Sequence, residues 1–304
     1  MLKSLENMTA INESQAGDVH IGHLFWYSIG DDLYGRNLLE QTLVQTGLSQ
    51  GFMPHEIRLV DAFRRATKDV EANLNLGNGV VENYMIRDVY ADNHTVVRHI
   101  VKEQVDSKGK RLSYYENEAV LILDKKAETM SFSADSSSYS WELCQEATRL
   151  FETYKNHHNG QAVRSMVQSI LKTLSPTPVR PSGGVYFVPA AYDEELQKLT
   201  SFCSAFPKGE GFKIQVVNSA ESLKMVEMKV SDHLESLYGQ CQHAAADSSL
   251  SKSKLAEIID EAKRVIGGYK NYEGILSQKK DEMEARILLI RDSVTILLEK
   301  AGDT

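Results

Sequence analysis

The segment VVENYMIRDVYADNHTVVRHIVKEQVDSKGKRLSYYENEAVLIL, Val80 to Leu123, decides the fold. It contains three runs rich in branched and aromatic residues: Val80 to Tyr90, Thr95 to Val105 and Arg111 to Leu123. Such side chains suit a pleated, half-buried surface. Asp92-Asn93 separates the first two runs, and Asp106-Ser107-Lys108-Gly109 the second two. Short loops of Asn, Asp and Gly turn antiparallel hairpins. The segment therefore predicts a β-meander. Thr129 to Ser133 adds a short edge strand, and Asn75 to Gly79 reads as a turn in front of the meander.

Toward the N-terminus, Val19 to Ile29 (VHIGHLFWYSI) reads as a further strand. Gly30-Asp31-Asp32 leads into a helix carrying Leu38, Leu39 and Leu43, and a second helix runs over about Val60 to Val70. Together with the meander these predict an antiparallel α+β domain over residues 19–133, its two helices packed on the sheet. Residues 1–18 mix Lys3, Glu6 and Glu13 with small polar residues, without the basic-then-apolar order of a signal peptide, and read as a flexible leader.

Toward the C-terminus, the polar break Ser133 to Ser138 predicts a domain boundary. Residues 139–217 then read as a second, small α+β module. Its helices run over Leu143–Tyr154, Val163–Leu174 and Glu194–Phe206, its strands over Gly184–Val188 and Phe212–Val217, with His157-His158 in a loop. Residues 218–304 read as a long helical arm, opened by Asn218 and Glu221 as a capping box. Leu223, Val226, Val230 and Leu234 recur at three- and four-residue steps, as do Ile258, Ile259 and Ile266, and Ile287, Ile290 and Val294. Each set forms one apolar stripe that must be buried. These residues are the candidate contacts to a second subunit or a partner protein; closure of the arm on itself is the competing reading.

The totals narrow the function classes. The chain has 304 residues, 42% hydrophobic and 25% charged, with a net charge of −8. An acidic balance argues against a dedicated duplex-binding protein. No apolar run approaches the roughly 18–20 residues of a membrane span. Cys144, Cys203 and Cys241 sit among apolar helical positions, as reduced thiols of a cytoplasmic protein do. There is no HExxH, no paired CxxC, no GxSxG and no P-loop lysine. The expectation is a non-enzymatic protein without cofactor or metal.

Basic residues are the remaining binding candidates. Arg58, Arg64 and Arg65 lie in PHEIRLVDAFRRAT, residues 54–67. Guanidinium forks bind phosphate or carboxylate bidentately, although Asp61 and Arg65 also have the i,i+4 spacing of a helical ion pair. Arg98, Lys102, Lys110 and Arg111 mark a basic hairpin beside Tyr114 and Tyr115. Charge with stacking can track a single strand of nucleic acid, whereas a solvated sheet face is the plainer reading, and Glu103, Glu116 and Glu118 oppose a phosphate field. Arg180 opens RPSGGVYFVP, residues 180–189, a loop that can present backbone N–H groups to an anion or partner.

Trp26-Tyr27-Ser28, the run Val60 to Thr67 and Arg98-His99 together resemble an uncharacterised domain family met in bacteriophages and other prokaryotic mobile elements. Residues 180–189 resemble its second signature, and the resemblance covers roughly residues 20–220. It implies a phage or mobile-element setting, hence a bacterial host cytoplasm, and no particular reaction. The expected function is a homo-oligomeric interaction protein gripping a partner protein, such as a host defence complex, through its helical arm. The alternative is a single-strand nucleic-acid binding or annealing protein.

Overall fold

The computed structural model describes residues 20–77, 79–180, 183–276 and 279–302. The expected leader, Asn78 of the expected turn, and Pro181-Ser182 of the expected second signature lie outside the described residues. In chain order the elements are β1 (His20–Ser28), β2 (Leu33–Gly35), α1 (Arg36–Gln45), α2 (Leu59–Lys68), β3 (Ala72–Gly77), β4 (Val80–Ala91), β5 (Thr95–Val105), β6 (Arg111–Asp124), β7 (Thr129–Ala134), α3 (Tyr139–Tyr154), β8 (His157–Asn159), α4 (Gly160–Lys172), β9 (Thr177–Pro178), β10 (Tyr186–Pro189), α5 (Asp193–Ser204), β11 (Glu210–Val217), α6 (Ala220–Ala246), α7 (Lys252–Gly268) and α8 (Lys280–Gly302). The architecture is α+β. The chain forms two units: Met1–Asp31, Glu40–Met53 and Val163–Thr304 make the first, Asp32–Leu39 and Pro54–Ala162 the second.

The second unit holds the meander, an antiparallel sheet in the order β3-β4-β5-β6-β7. The three long strands follow the sequence reading closely. β3 narrows the turn expected over Asn75 to Gly79: Ala72 to Gly77 pairs along β4, so Asn75 and Leu76 are strand and the chain turns only at the end of the strand, where Gly77 and Gly79 take positive φ. Its Asn-Leu alternation carries little strand propensity, and pairing with β4 overrides that. The helices on this sheet are α2, one of the two N-terminal helices expected, and α3, which takes the place expected of α1. Phe63 of α2 meets Phe151 of α3 edge-to-face at 6.5 Å. Ala62, Ala66 and Ala147 let both helices approach Tyr84, Ile86, Ile100, Leu121 and Leu123. Each buried phenylalanine or leucine contributes about 1.5–3 kcal/mol. The polar stretch 133–138 is therefore a connection inside this core, not a domain boundary. His157 and His158 lie in β8, which pairs with β2, where a loop was expected.

In the first unit β1 is a middle strand. It pairs antiparallel with β10 on one side and β11 on the other, giving the order β11-β1-β10-β9. The expectation that it belongs with the meander is overturned, because its hydrogen-bond partners, Tyr186–Pro189 and Glu210–Val217, come from beyond the meander altogether. Gly22 permits the tight β1–β10 contact: a Cβ there would lie 2.3 Å from the Val188 carbonyl oxygen and 2.6 Å from the Phe187 ring.

The arm comprises α6, α7 and α8, as its periodicity predicts, but it is not a free arm. Val226, Val230, Leu234, Ile258, Ile259, Ile287, Ile290 and Val294 are buried in one core with Ile21, Phe187 and Val216 of the sheet. Leu223 and Ile266 pack at its margin. The stripes are satisfied within the chain, so the closed-arm reading replaces the partner-contact reading for these residues. Ser219, whose hydroxyl accepts the Ser222 N–H at 3.2 Å, caps α6 in place of the expected Asn218–Glu221 box. Among the described residues no helix is long and apolar enough to cross a membrane.

Candidate interaction surface

The basic candidates fall into different environments. Arg58 donates to Asp61 at 2.7 Å, so the expected Asp61–Arg65 pair is replaced by one spaced i,i+3. Arg65 instead lies over the Tyr154 ring, 3.9 Å from its centroid. Arg64 is exposed and its carbonyl accepts from Arg98 at 3.0 Å. Arg98 itself is buried at 8% exposure. It donates to Asp88 at 2.9 Å and to the Thr67 hydroxyl at 2.6 Å, tying β5 to β4 and α2. Its role is structural, not that of a surface contact.

Two of the hairpin cations, Lys102 and Arg111, are also spoken for. Lys102 pairs with Glu118 at 3.1 Å and sits 4.9 Å from the Tyr115 ring centroid. Arg111 pairs with Glu103 and sits 4.8 Å from the Tyr114 centroid. Lys110 is exposed in the turn, where its backbone N–H donates to Asp106 at 2.8 Å. Arg180 is exposed, its guanidinium folded toward Gly183. Carboxylates so close cancel much of the field that phosphate binding requires.

An edge strand stands out in the first unit. β11 ends its sheet, and among the described residues it pairs with β1 alone. Along one face, Val216 is buried under the arm, while Phe212 and Ile214 are 46% and 55% exposed. Trp26 on β1 stacks on Phe212 with centroids 5.5 Å apart. α5 covers the opposite face. Gly211 makes that approach possible, since a Cβ there would lie 2.8 Å from the Thr200 carbonyl oxygen. Lys213 reaches Asp193, the first residue of α5, at 2.5 Å. The only lysine of this strand is thus drawn off the edge.

Behind β11 lies a buried polar group that sequence reasoning passed over. His23 is 1% exposed and its Nε2 lies 3.2 Å from the Asp193 carboxylate. Burial pulls the His23 pKa down to about 4; Asp193 pulls the other way, and Lys213 and His20 add to the depression. Burial pushes the Asp193 carboxyl up, but Lys213 and His23 outweigh it and hold it below its ordinary value. The imidazole is therefore neutral at pH 7, donating Nε2–H to Asp193, with Nδ1 unpartnered. A histidine and a carboxylate could serve acid–base chemistry, but the imidazole is buried and only the half-exposed Asp193 carboxylate reaches solvent. Burial pushes the Cys144 and Cys203 thiols up to about 12, so neither is a ready nucleophile. Among the described residues no group of three or more His, Cys, Asp or Glu is placed to hold a metal ion.

The alternation Phe212-Lys213-Ile214 signals a strand. Its position at an edge depends on β1, which lies between residues 20 and 28 and so far outside any local window, and no local signal carries that. No match was found among the curated proteins or among the solved structures. A family model described as a family of unknown function (DUF6744) matches residues 20–303. That match takes in the helical arm as well as both units, and the chain therefore belongs to this family of unknown function.

Proposed function

We propose that the protein is a non-enzymatic, homo-oligomeric interaction protein whose copies join through β11, with β11 of a second copy adding antiparallel to the exposed edge. The observation that carries this reading is the edge itself: an eight-residue strand that, among the described residues, pairs with no strand but β1, with Phe212 and Ile214 exposed beside Trp26 and only the Gly211 N–H seen turned to a side chain, that of Ser204. Such an edge presents a row of N–H and C=O groups to any extended chain, and a free lysine is a common block to it. Here Lys213 is held by Asp193 on the α5 side. A two-fold arrangement would bury both apolar side chains twice. Beyond self-association, the reading includes a protein partner, a cytoplasmic location and a phage or mobile-element setting, the last resting on the sequence resemblance.

The test is light scattering on the whole chain at roughly 100 µM, a concentration at which a stable interface is populated. The expected result is a dimer, returned to monomer by Phe212→Lys with Ile214→Lys at unchanged melting temperature. A monomeric wild-type chain, or a dimer indifferent to both changes, refutes the proposal.

A second reading, single-strand nucleic-acid binding, is favoured by the exposed Tyr114 and Tyr115 beside Arg111 and Lys102. It ranks lower because Glu103 and Glu118 already pair with both cations. Oligonucleotide binding with a log–log salt slope of about −0.7 per phosphate contact would support it. Absence of binding at low salt removes it.

A further inference from the structure

The second unit contains a cleft of about 170 Å³ whose walls include Ile57, Asp61, Arg65, Tyr154, His158 and Ala162. The Tyr154 hydroxyl donates to Asp69 at 2.7 Å, which fixes the ring on which the Arg65 guanidinium lies. Asp61 is engaged by Arg58. Among the described residues no carboxylate lies within ion-pair distance of Arg65. A stacked, preoriented guanidinium without a counter-ion is a ready fork for oxyanions.

A second observation is independent of the arginine. His158 is 5% exposed, and its Nε2 is buried without a hydrogen-bond partner. Buried polar atoms are nearly always paired, so an orphan of this kind calls for a partner. Burial, with Arg36 and His157 adding to it, lowers the His158 pKa, so the ring is neutral and able to donate. The neighbouring His157 is already engaged, its Nδ1 2.8 Å from the Thr153 carbonyl oxygen. Ala162 lies in the first turn of α4, and the dipole of that helix favours negative charge there. Ile57 and Ala62 supply short apolar walls.

We propose that this cleft binds a small oxyanion, a phosphate or carboxylate group, with the Arg65 fork on its oxygens and the His158 ring as a further donor. The volume is below the roughly 300–1,000 Å³ of drug-sized sites, which suits a small ligand. The site is independent of the β11 edge, so either proposal can fail alone.

The experiment follows the imidazole resonances of the full chain by NMR during titration with inorganic phosphate and, separately, with butyrate, each to about 20 mM. A saturable shift of the His158 signals with either probe is expected, and the responding probe distinguishes phosphate from carboxylate. Arg65→Gln should weaken that binding by about tenfold or more, and Arg65→Lys, which keeps the charge without the fork, by less. Arg149→Gln, an exposed change on α3, should leave it intact. No saturable shift with either probe, or equal binding in the wild type and Arg65→Gln, overturns the proposal. Should Arg65→Gln fail to fold, equal binding in Arg65→Lys and the wild type overturns the fork.

Discussion

Arg98→Met should destabilise the second unit by about 2–4 kcal/mol, a magnitude that follows from the bonds the guanidinium makes. Arg98 donates to the Arg64 carbonyl at 3.0 Å and the Thr67 hydroxyl at 2.6 Å. Hydrogen bonds to a charged group contribute about 1.5–3 kcal/mol each. The pair with Asp88 adds little, since that carboxylate is 66% exposed and its charge is screened. Relief of the arginine's own desolvation subtracts from the sum. Methionine keeps the apolar stem, so packing loss is small. Trp141 lies in α3 and reports this unit alone when Trp26 is replaced by phenylalanine. Urea unfolding followed by its fluorescence should show a midpoint lowered by about 1–2 M at a slope near 2 kcal/mol/M. A change within about 0.5 kcal/mol, as for ordinary surface positions, would refute the structural role. Equal losses for Asp88→Asn and Arg98→Met would refute the exposure argument specifically.

Two further outcomes are expected. Gly22→Ala should cost about 1–3 kcal/mol, because the new methyl group would collide with the Val188 carbonyl and the Phe187 ring; an unchanged melting temperature would show that β1 and β10 can separate freely. The His23 pKa near 4 lies below its unfolded value near 6.5, so the unfolded chain takes up the extra proton as pH falls through that window. The stabilisation is complete above pH 6.5 and lost toward pH 4, on the order of 3 kcal/mol in full. His23→Gln should flatten this acid limb, and a melting profile as steep as the wild type's would assign the loss to other groups.

What the sequence discloses here is local. Val80 to Leu123 displays its strands because alternation and turn chemistry act within a few residues. The stripes of α6, α7 and α8 show that each helix buries a face. They do not show against what, and the answer lies in Ile21, Phe187 and Val216. Asp61 illustrates the same limit at the scale of one side chain. Spacing alone permits Arg65 as its partner, but the Tyr154 ring, about ninety residues further on, draws Arg65 away and leaves Asp61 to Arg58. The orphaned His158 nitrogen and the open side of β11 are likewise products of long-range pairing. The sequence points α3 to the wrong module for a related reason. The serine-rich run before it looks like a linker, yet Phe151 and Ala147 carry it back onto the meander.

The placement of β1 has a consequence for how the molecule is made. His23 pairs with Val188 and with Gln215, so its neighbours leave the ribosome roughly 160–190 residues later, and closing loops of that length is slow. At synthesis rates of about 5–20 residues per second the wait lasts on the order of ten seconds or more. Residues 54–162 emerge meanwhile and can complete their sheet from nearest-neighbour hairpins. Throughout that interval the segment HLFWYS must remain unpaired without meeting another chain. The nascent protein is therefore most vulnerable at β1, and a chaperone holding residues 20–28 during synthesis would improve its yield more than one acting on the finished product.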